Sequence, residues 1–278
     1  MSKINVDALM AAYGLKTAKS LGQNFLNDTD ILEKIADAAC PAKGILEIGA
    51  GIGSLTALLA ERCNKAVTVE IDTRLQPLLA AQVPHSNHSF LWQDILKTDL
   101  QAVAKEFDAP PVIVGNLPYY ITTEILMLLL RNLCWEKAVL MVQKEVAGRL
   151  TAKPGGKDYR AVTAITQAFC QVEYLFDVAP HYFHPAPHVT SAVIRLTLKN
   201  DAPAEQEDFI RLVESGFAAR RKMFASAPSA QAALKTDREG IKALLRAANL
   251  PETARAECFS SGDFKNLYEL AQISKNLI

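Results

Sequence analysis

Leu46-Glu-Ile-Gly-Ala-Gly-Ile-Gly-Ser-Leu-Thr56 decides how this chain is read. An apolar run, Gly44–Gly49, enters a turn with glycine at 49, 51 and 53, and Ser54–Cys63 continues with helical spacing. Glycines at such a strand-to-helix turn admit unusual φ and let a ligand approach the backbone closely. A dinucleotide-binding turn would need Gly-x-Gly-x-x-Gly. Counting from Gly49 puts Ser54 in the last place, and counting from Gly51 puts Thr56 there, so both registers fail.

Outward from this turn, short β-branched or apolar runs alternate with helical stretches. Strands are expected at Lys65–Ile71, Ser89–Gln93, Val112–Gly115, Ala138–Val142 and Ser191–Leu198. Helices are expected at Thr73–Gln82, Asp99–Phe107 and Thr122–Leu133. This alternation predicts an α/β fold, a mostly parallel sheet with helices on both faces, whose ligands bind beyond the strands' carboxyl ends. The polar stretch Asn200-Asp-Ala-Pro-Ala-Glu-Gln-Glu207 reads as a linker. Beyond it Phe209, Leu212, Val213, Gly216 and Phe217 follow helical spacing, and Ile241–Leu250 and Phe264–Leu277 are helical too. Two domains are therefore expected, 1–200 and a small helical one at 201–278.

Charge is balanced, with 30 Lys+Arg against 30 Asp+Glu. A nucleic-acid contact must then come from local patches. Lys144–Arg160 carries Arg149 in a basic stretch, and Arg220, Arg221 and Lys222 form a second cluster. Five scattered cysteines without a Cys-x-x-Cys pair suit a reducing cytosol. No apolar run is long enough to span a bilayer, so a soluble cytoplasmic protein is expected. His181, His184 and His188 have no acidic partner nearby in sequence, and no metal site is expected.

The residues that end the strands carry the chemistry. Glu47, Gly49 and Gly51 match Glu-x-Gly-x-Gly, the first motif of S-adenosylmethionine methyltransferases. Glu70 ends the next strand, where a carboxylate can accept both ribose hydroxyls, and Asp94 ends the third, placed for an adenine amine. Val114-Gly-Asn-Leu-Pro-Tyr119 ends the fourth. An adenine N6 lone pair is delocalised into its ring, so the amine is a poor nucleophile. The Asn116 side-chain oxygen and the Leu117 carbonyl can accept its two N–H groups and favour an sp³-like nitrogen, while Pro118 fixes the turn. Tyr119 on one face and Phe183, from Pro180-His-Tyr-Phe-His-Pro-Ala-Pro187, on the other could stack a splayed base.

With these residues in place the chain resembles the small-subunit ribosomal RNA adenine dimethyltransferases of the KsgA type over nearly its full length. The resemblance rests on Leu21-Gly-Gln-Asn-Phe-Leu26, the Glu47–Thr56 turn, Glu70, Asp94 and Asn116–Tyr119. Gln143-Lys-Glu-Val146, Arg149, the loop around Phe183, Ser191-Ala-Val193 and Arg255 to Leu267 extend it. It implies S-adenosylmethionine as cofactor, with Asn24 and Leu26 bordering it. It implies dimethylation of two adjacent adenosines near the 3′ end of 16S RNA in the immature small subunit, by a monomer. It also implies RNA contacts through Arg149, Arg220, Arg221 and Lys222. Two alternatives remain open: a large-subunit methyltransferase of the erythromycin-resistance type, and an assembly factor with secondary catalysis. The chain departs from the family after Lys222, where Met223-Phe-Ala-Ser-Ala-Pro228 stands, and at Arg160, His188 and Thr190. These departures touch RNA contacts rather than methyl transfer.

Overall fold

The computed structural model describes residues 3–18, 21–219 and 222–276. By internal contacts it separates into two units, 1–147 with 173–198, and 148–172 with 199–278. The second unit takes in 148–172 as well as 199–278, a grouping that sequence spacing did not suggest.

The first unit opens with helix α1 (Val6–Ala12), the two-residue strand β1 (Phe25–Leu26) and helix α2 (Thr29–Ala39). Asp28 caps α2 by accepting a hydrogen bond from the Ile31 N–H at 3.2 Å. Ile31, Leu32, Ile35, Ala36 and Ala39 form one buried face of that helix. Then come β2 (Ala42–Ile48), α3 (Ser54–Glu61), β3 (Cys63–Glu70), α4 (Gln76–Gln82) and β4 (His88–Trp92). They are followed by α5 (Leu100–Ala104), β5 (Val112–Asn116), α6 (Thr122–Arg131) and β6 (Lys137–Gln143). The α3 helix stops at Glu61, two residues early, because Cys63 already pairs with Ala42 in the sheet. Pro77 occupies the first turn of α4, after a 3₁₀ turn at Thr73–Leu75, so the expected single helix starts late.

After α7 (Lys144–Leu150) and α8 (Ala161–Phe169), the chain forms β7 (Cys170–Val178), β8 (Phe183–His184) and β9 (Ser191–Leu198). The seven-stranded sheet runs β4-β3-β2-β5-β6-β9-β7. Strands β4, β3, β2, β5 and β6 are parallel, whereas β9 lies antiparallel to β6. The central strands are apolar and buried on both faces, as parallel strands covered by helices must be. Each such side chain contributes about 1.5–3 kcal/mol. From β2 the chain steps to β3 and β4 on one side and later to β5 and β6 on the other. This reversal of strand order opens a crevice at the carboxyl ends of β2 and β5.

The second unit holds α8, α9 (Gln206–Ala218), α10 (Pro228–Leu234), α11 (Arg238–Ala247) and α12 (Ser261–Asn276). Its core is aromatic: Phe224, Phe259 and Phe264 meet edge to face, and Phe169 does the same with Phe209. No helix among the described residues is long and apolar enough to cross a membrane.

Candidate active site

The crevice at the switch point is a cavity of about 250 Å³, built wholly within the first unit. Its floor is the glycine turn after β2. Gly51 has φ +55° and lies against Phe25, whose ring would stand 3.0 Å from any added Cβ. Gly53, at φ +84°, ends the turn as the N-cap of α3. A side chain at Gly51 would therefore be strained and would crowd the Phe25 ring.

Glu70 leaves the end of β3 almost fully buried. Its carboxylate accepts from the Gly51 N–H at 3.2 Å and the Asp72 N–H at 2.8 Å, which fixes its orientation toward the glycine turn. Burial pushes the Glu70 carboxyl above its ordinary value, while the backbone donors from Asp72 and Gly51 oppose that rise. Asp94 begins a turn after β4, and its Oδ1 accepts from the Leu96 N–H at 2.9 Å, so its second oxygen can serve a ligand. Two apolar side chains that sequence reading passed over, Ile71 and Leu96, flank these acids in the cavity, and Ile71 is 50% exposed. An isoleucine directly after a strand-ending acid was the available signal.

Asn116 ends β5. Its Nδ2 donates to the Asn24 carbonyl at 3.0 Å, so the amide cannot turn freely, and Oδ1 is the acceptor it presents to the cavity. The Leu117 N–H donates to the Met141 carbonyl at 3.0 Å and pins the next peptide. Pro118 follows, and its carbonyl accepts from the Thr122 hydroxyl at 3.0 Å. Tyr119 lines the cavity with its hydroxyl 2.6 Å from Ser191 Oγ on β9, and burial raises the phenol's pKa. Tyr120, 57% exposed, reaches back to within van der Waals range of Gly22.

The segment before β1 completes the wall. Gln23 donates to Asp72 Oδ2 at 2.8 Å and accepts from the Ala18 N–H at 2.8 Å, tying this segment to the end of β3. Arg74 holds the same Asp72, with Nε–Oδ1 at 2.7 Å, and that contact keeps the Asp72 carboxyl below its usual range. Asn24 contributes its backbone carbonyl, and Leu26 its side chain.

The structure thus gathers Asn24, Leu26, Gly49, Gly51, Glu70, Asp94 and Asn116–Tyr119 around one cavity. Phe183 differs from expectation. It is 3% exposed and packs in the core with Leu26, Ile31 and Val193 rather than lining the cavity. Its strand β8 pairs with β1, Leu26 facing Phe183, and that pairing turns the ring inward behind the wall. Arg149 lies in the second unit, half-buried and with interaction partners of its own, and Lys222 is exposed. Arg220 and Arg221 lie outside the described residues.

A Rossmann-like sheet with Glu70 ending β3, Asp94 in the turn after β4 and Asn-Leu-Pro-Tyr starting at the end of β5 is the arrangement of a methyltransferase. The ribosomal RNA adenine dimethylase family matches residues 14–261, and this chain belongs to it. It is 43% identical over 274 residues to ribosomal RNA small subunit methyltransferase A of Geobacillus thermodenitrificans, covering 93% of this chain and 92% of that one. The protein of the same name from Ligilactobacillus salivarius is 42% identical, covering 94% and 92%. Among solved structures, a dimethyladenosine transferase from Plasmodium falciparum superposes with TM-score 0.77 at 25% identity, covering 91% and 98%. The 23S rRNA methyltransferase ErmE superposes with TM-score 0.66 at 27% identity, covering 90% and 100%.

Proposed function

We propose that this enzyme transfers methyl groups to the N6 amines of two adjacent adenosines near the 3′ end of 16S RNA, within the immature small subunit. The observation that carries the reading is the Asn116 amide, locked by the Asn24 carbonyl so that Oδ1 is offered at the end of β5. S-adenosylmethionine, when bound, supplies the electrophilic methyl group. The donor set suits it: Glu70 for two ribose hydroxyls, Asp94 for an adenine amine, and Ile71 and Leu96 as apolar faces for a flat base.

Asn116 Oδ1 and the Leu117 carbonyl accept the two N–H bonds of the target amine and draw its lone pair out of conjugation. Tyr119, anchored through Ser191, offers its ring to the base. No strong general base is required, because the methylated amine is acidic enough to lose its proton to water. What the residues supply is position, worth on the order of 7–11 kcal/mol in favourable cases. With Phe183 buried, base stacking falls to Tyr119 and the exposed Tyr120.

The first unit carries catalysis, and the second, with Arg149, Arg220, Arg221 and Lys222, grips RNA phosphates as a cytoplasmic monomer. The higher identity to small-subunit enzymes than to ErmE favours 16S over 23S RNA. Purified protein with radiolabelled S-adenosylmethionine should label small subunits from a methylation-deficient strain. Asn116→Ala should lower turnover by about 10²–10³, with subunit affinity within about tenfold of wild type. Label confined to 23S RNA would overturn the substrate assignment, and near-normal turnover by Asn116→Ala would overturn the mechanism.

A further inference from the structure

Behind the glycine turn, three strands carry a polar chain that methyl transfer does not use. Glu47 on β2 is 2% exposed and lines the cavity. Thr68 on β3, fully buried, donates to Glu47 Oε2 at 2.8 Å, and the same hydroxyl lies 2.8 Å from His88 Nε2 on the edge strand β4. His88 is half-buried, with its ring edge-on to Phe90 at 4.4 Å.

A lone carboxyl in this place would be a poor binding group for a cation, since burial favours its neutral form. The chain changes that, because it is satisfied in both protonation states. With Glu47 neutral, the carboxyl donates to Thr68 Oγ1, and Thr68 donates to His88 Nε2. With Glu47 ionised, His88 Nε2–H donates to Thr68, and Thr68 donates to the carboxylate. Resting on the reading of this cavity as an S-adenosylmethionine site, we propose that Thr68 and His88 are positioning residues that make capture of the cationic cofactor proton-coupled. The step balances: the carboxyl O–H proton passes to Thr68 Oγ1, the Thr68 proton passes to His88 Nε2, and His88 Nδ1–H gives its proton to water or buffer base. Only O–H and N–H bonds break and form.

The surroundings agree. Burial pushes Glu47 up to about 7, with the Thr56 and then the Thr68 hydroxyl lowering it and the nearby Glu70 raising it further. Val114, opposite on β5, brings no charge. Burial also takes His88 down to about 4, helped by His85, so His88 is neutral and free to switch tautomer near pH 7.

The test is calorimetry of S-adenosylmethionine binding to the full chain at pH 6 and pH 7.5, each in two buffers of different ionisation enthalpy. Wild type should bind roughly tenfold more weakly at pH 6 and release protons on binding. Thr68→Val and His88→Val should move this transition to higher pH, weakening binding at pH 7.5 several-fold. Thr68→Ser and His88→Gln, which keep the hydrogen bonds, should restore the wild-type profile. If Thr68→Val does not fold, the His88 pair on the edge strand decides alone. A wild-type affinity independent of pH, or valine variants that titrate like wild type, would overturn the proposal. Absence of saturable binding at either pH would instead sink the cofactor reading itself.

Discussion

Replacing Glu47 by glutamine tests the burial of that carboxyl at the level of folding, without cofactor or RNA. Glu47 has a folded value of about 7 against an ordinary 4.5. Below 4.5 it is protonated in both states, and its contribution to stability is fully present. As pH rises toward 7 the unfolded chain ionises it while the folded chain holds the proton, so stability falls with pH and the contribution is lost above 7. Between pH 5 and pH 7.5 the loss amounts to about 2–3 kcal/mol. The glutamine side chain of E47Q does not titrate, so the stability of that variant should lack this component. Its amide leaves one polar end to be satisfied, at a cost of about 1–3 kcal/mol that does not vary with pH. The slopes, not the absolute values, are therefore compared. Both tryptophans, Trp92 and Trp135, lie in the first unit, so urea unfolding followed by their fluorescence reports this unit alone. The wild-type curve should drop relative to E47Q by about 2–3 kcal/mol across that pH range. Parallel curves would refute the reasoning, since they would mean that Glu47 ionises in the folded protein as readily as in water.

Two further outcomes follow from the site. Glu70→Ala should weaken S-adenosylmethionine binding by roughly 1.5–3 kcal/mol for each ribose hydroxyl lost; calorimetry showing unchanged affinity in a folded variant would remove Glu70 from the site. Tyr119→Phe strands the fully buried Ser191 hydroxyl and should cost about 1–3 kcal/mol in urea unfolding, with Ser191→Ala added to it recovering most of that loss; simple additivity of the two changes would show that the bond is not an exclusive pair.

Much of the sheet was legible because β2, β3 and β5 are apolar runs closed by a glycine, an acid and an asparagine respectively. Val112–Asn116 and Ser191–Leu198 fall where the pattern put them, to within a residue. The strand-ending acids were legible for the same reason, since a charged residue straight after a buried run must sit at the sheet's edge. Edge strand β7 was not, because its residues are mostly half-exposed or exposed and its polar and apolar positions do not settle into one period. The β1–β8 ribbon escaped too, since two residues per strand carry no period at all. Phe183 shows the limit of motif reading: the stretch around it marks a loop near the site, but cannot say which way the ring turns. Glu47 was recognised by its place in the glycine turn. Its partners Thr68 and His88 were invisible, because neighbours across a parallel sheet are distant in sequence.

The two-residue ribbon that backs the cavity has a consequence for how the protein is made. Phe25 and Leu26 find their partners roughly 160 residues downstream, after every acid of the site has already left the ribosome. Closing a loop of that length costs about 2 kcal/mol more than closing one of ten residues. Two residue pairs cannot hold it shut by their backbone bonds alone; the Asn27 N–H bond to the Tyr182 carbonyl at 2.9 Å, the His184–Asp7 contact at 2.8 Å and the Phe183 ring, buried in the same core cluster as Leu26 and Val193, add to them. A small residue at position 183 would loosen the ribbon and, through Leu26, one edge of the cavity, while leaving Glu70, Asp94 and Asn116 in place.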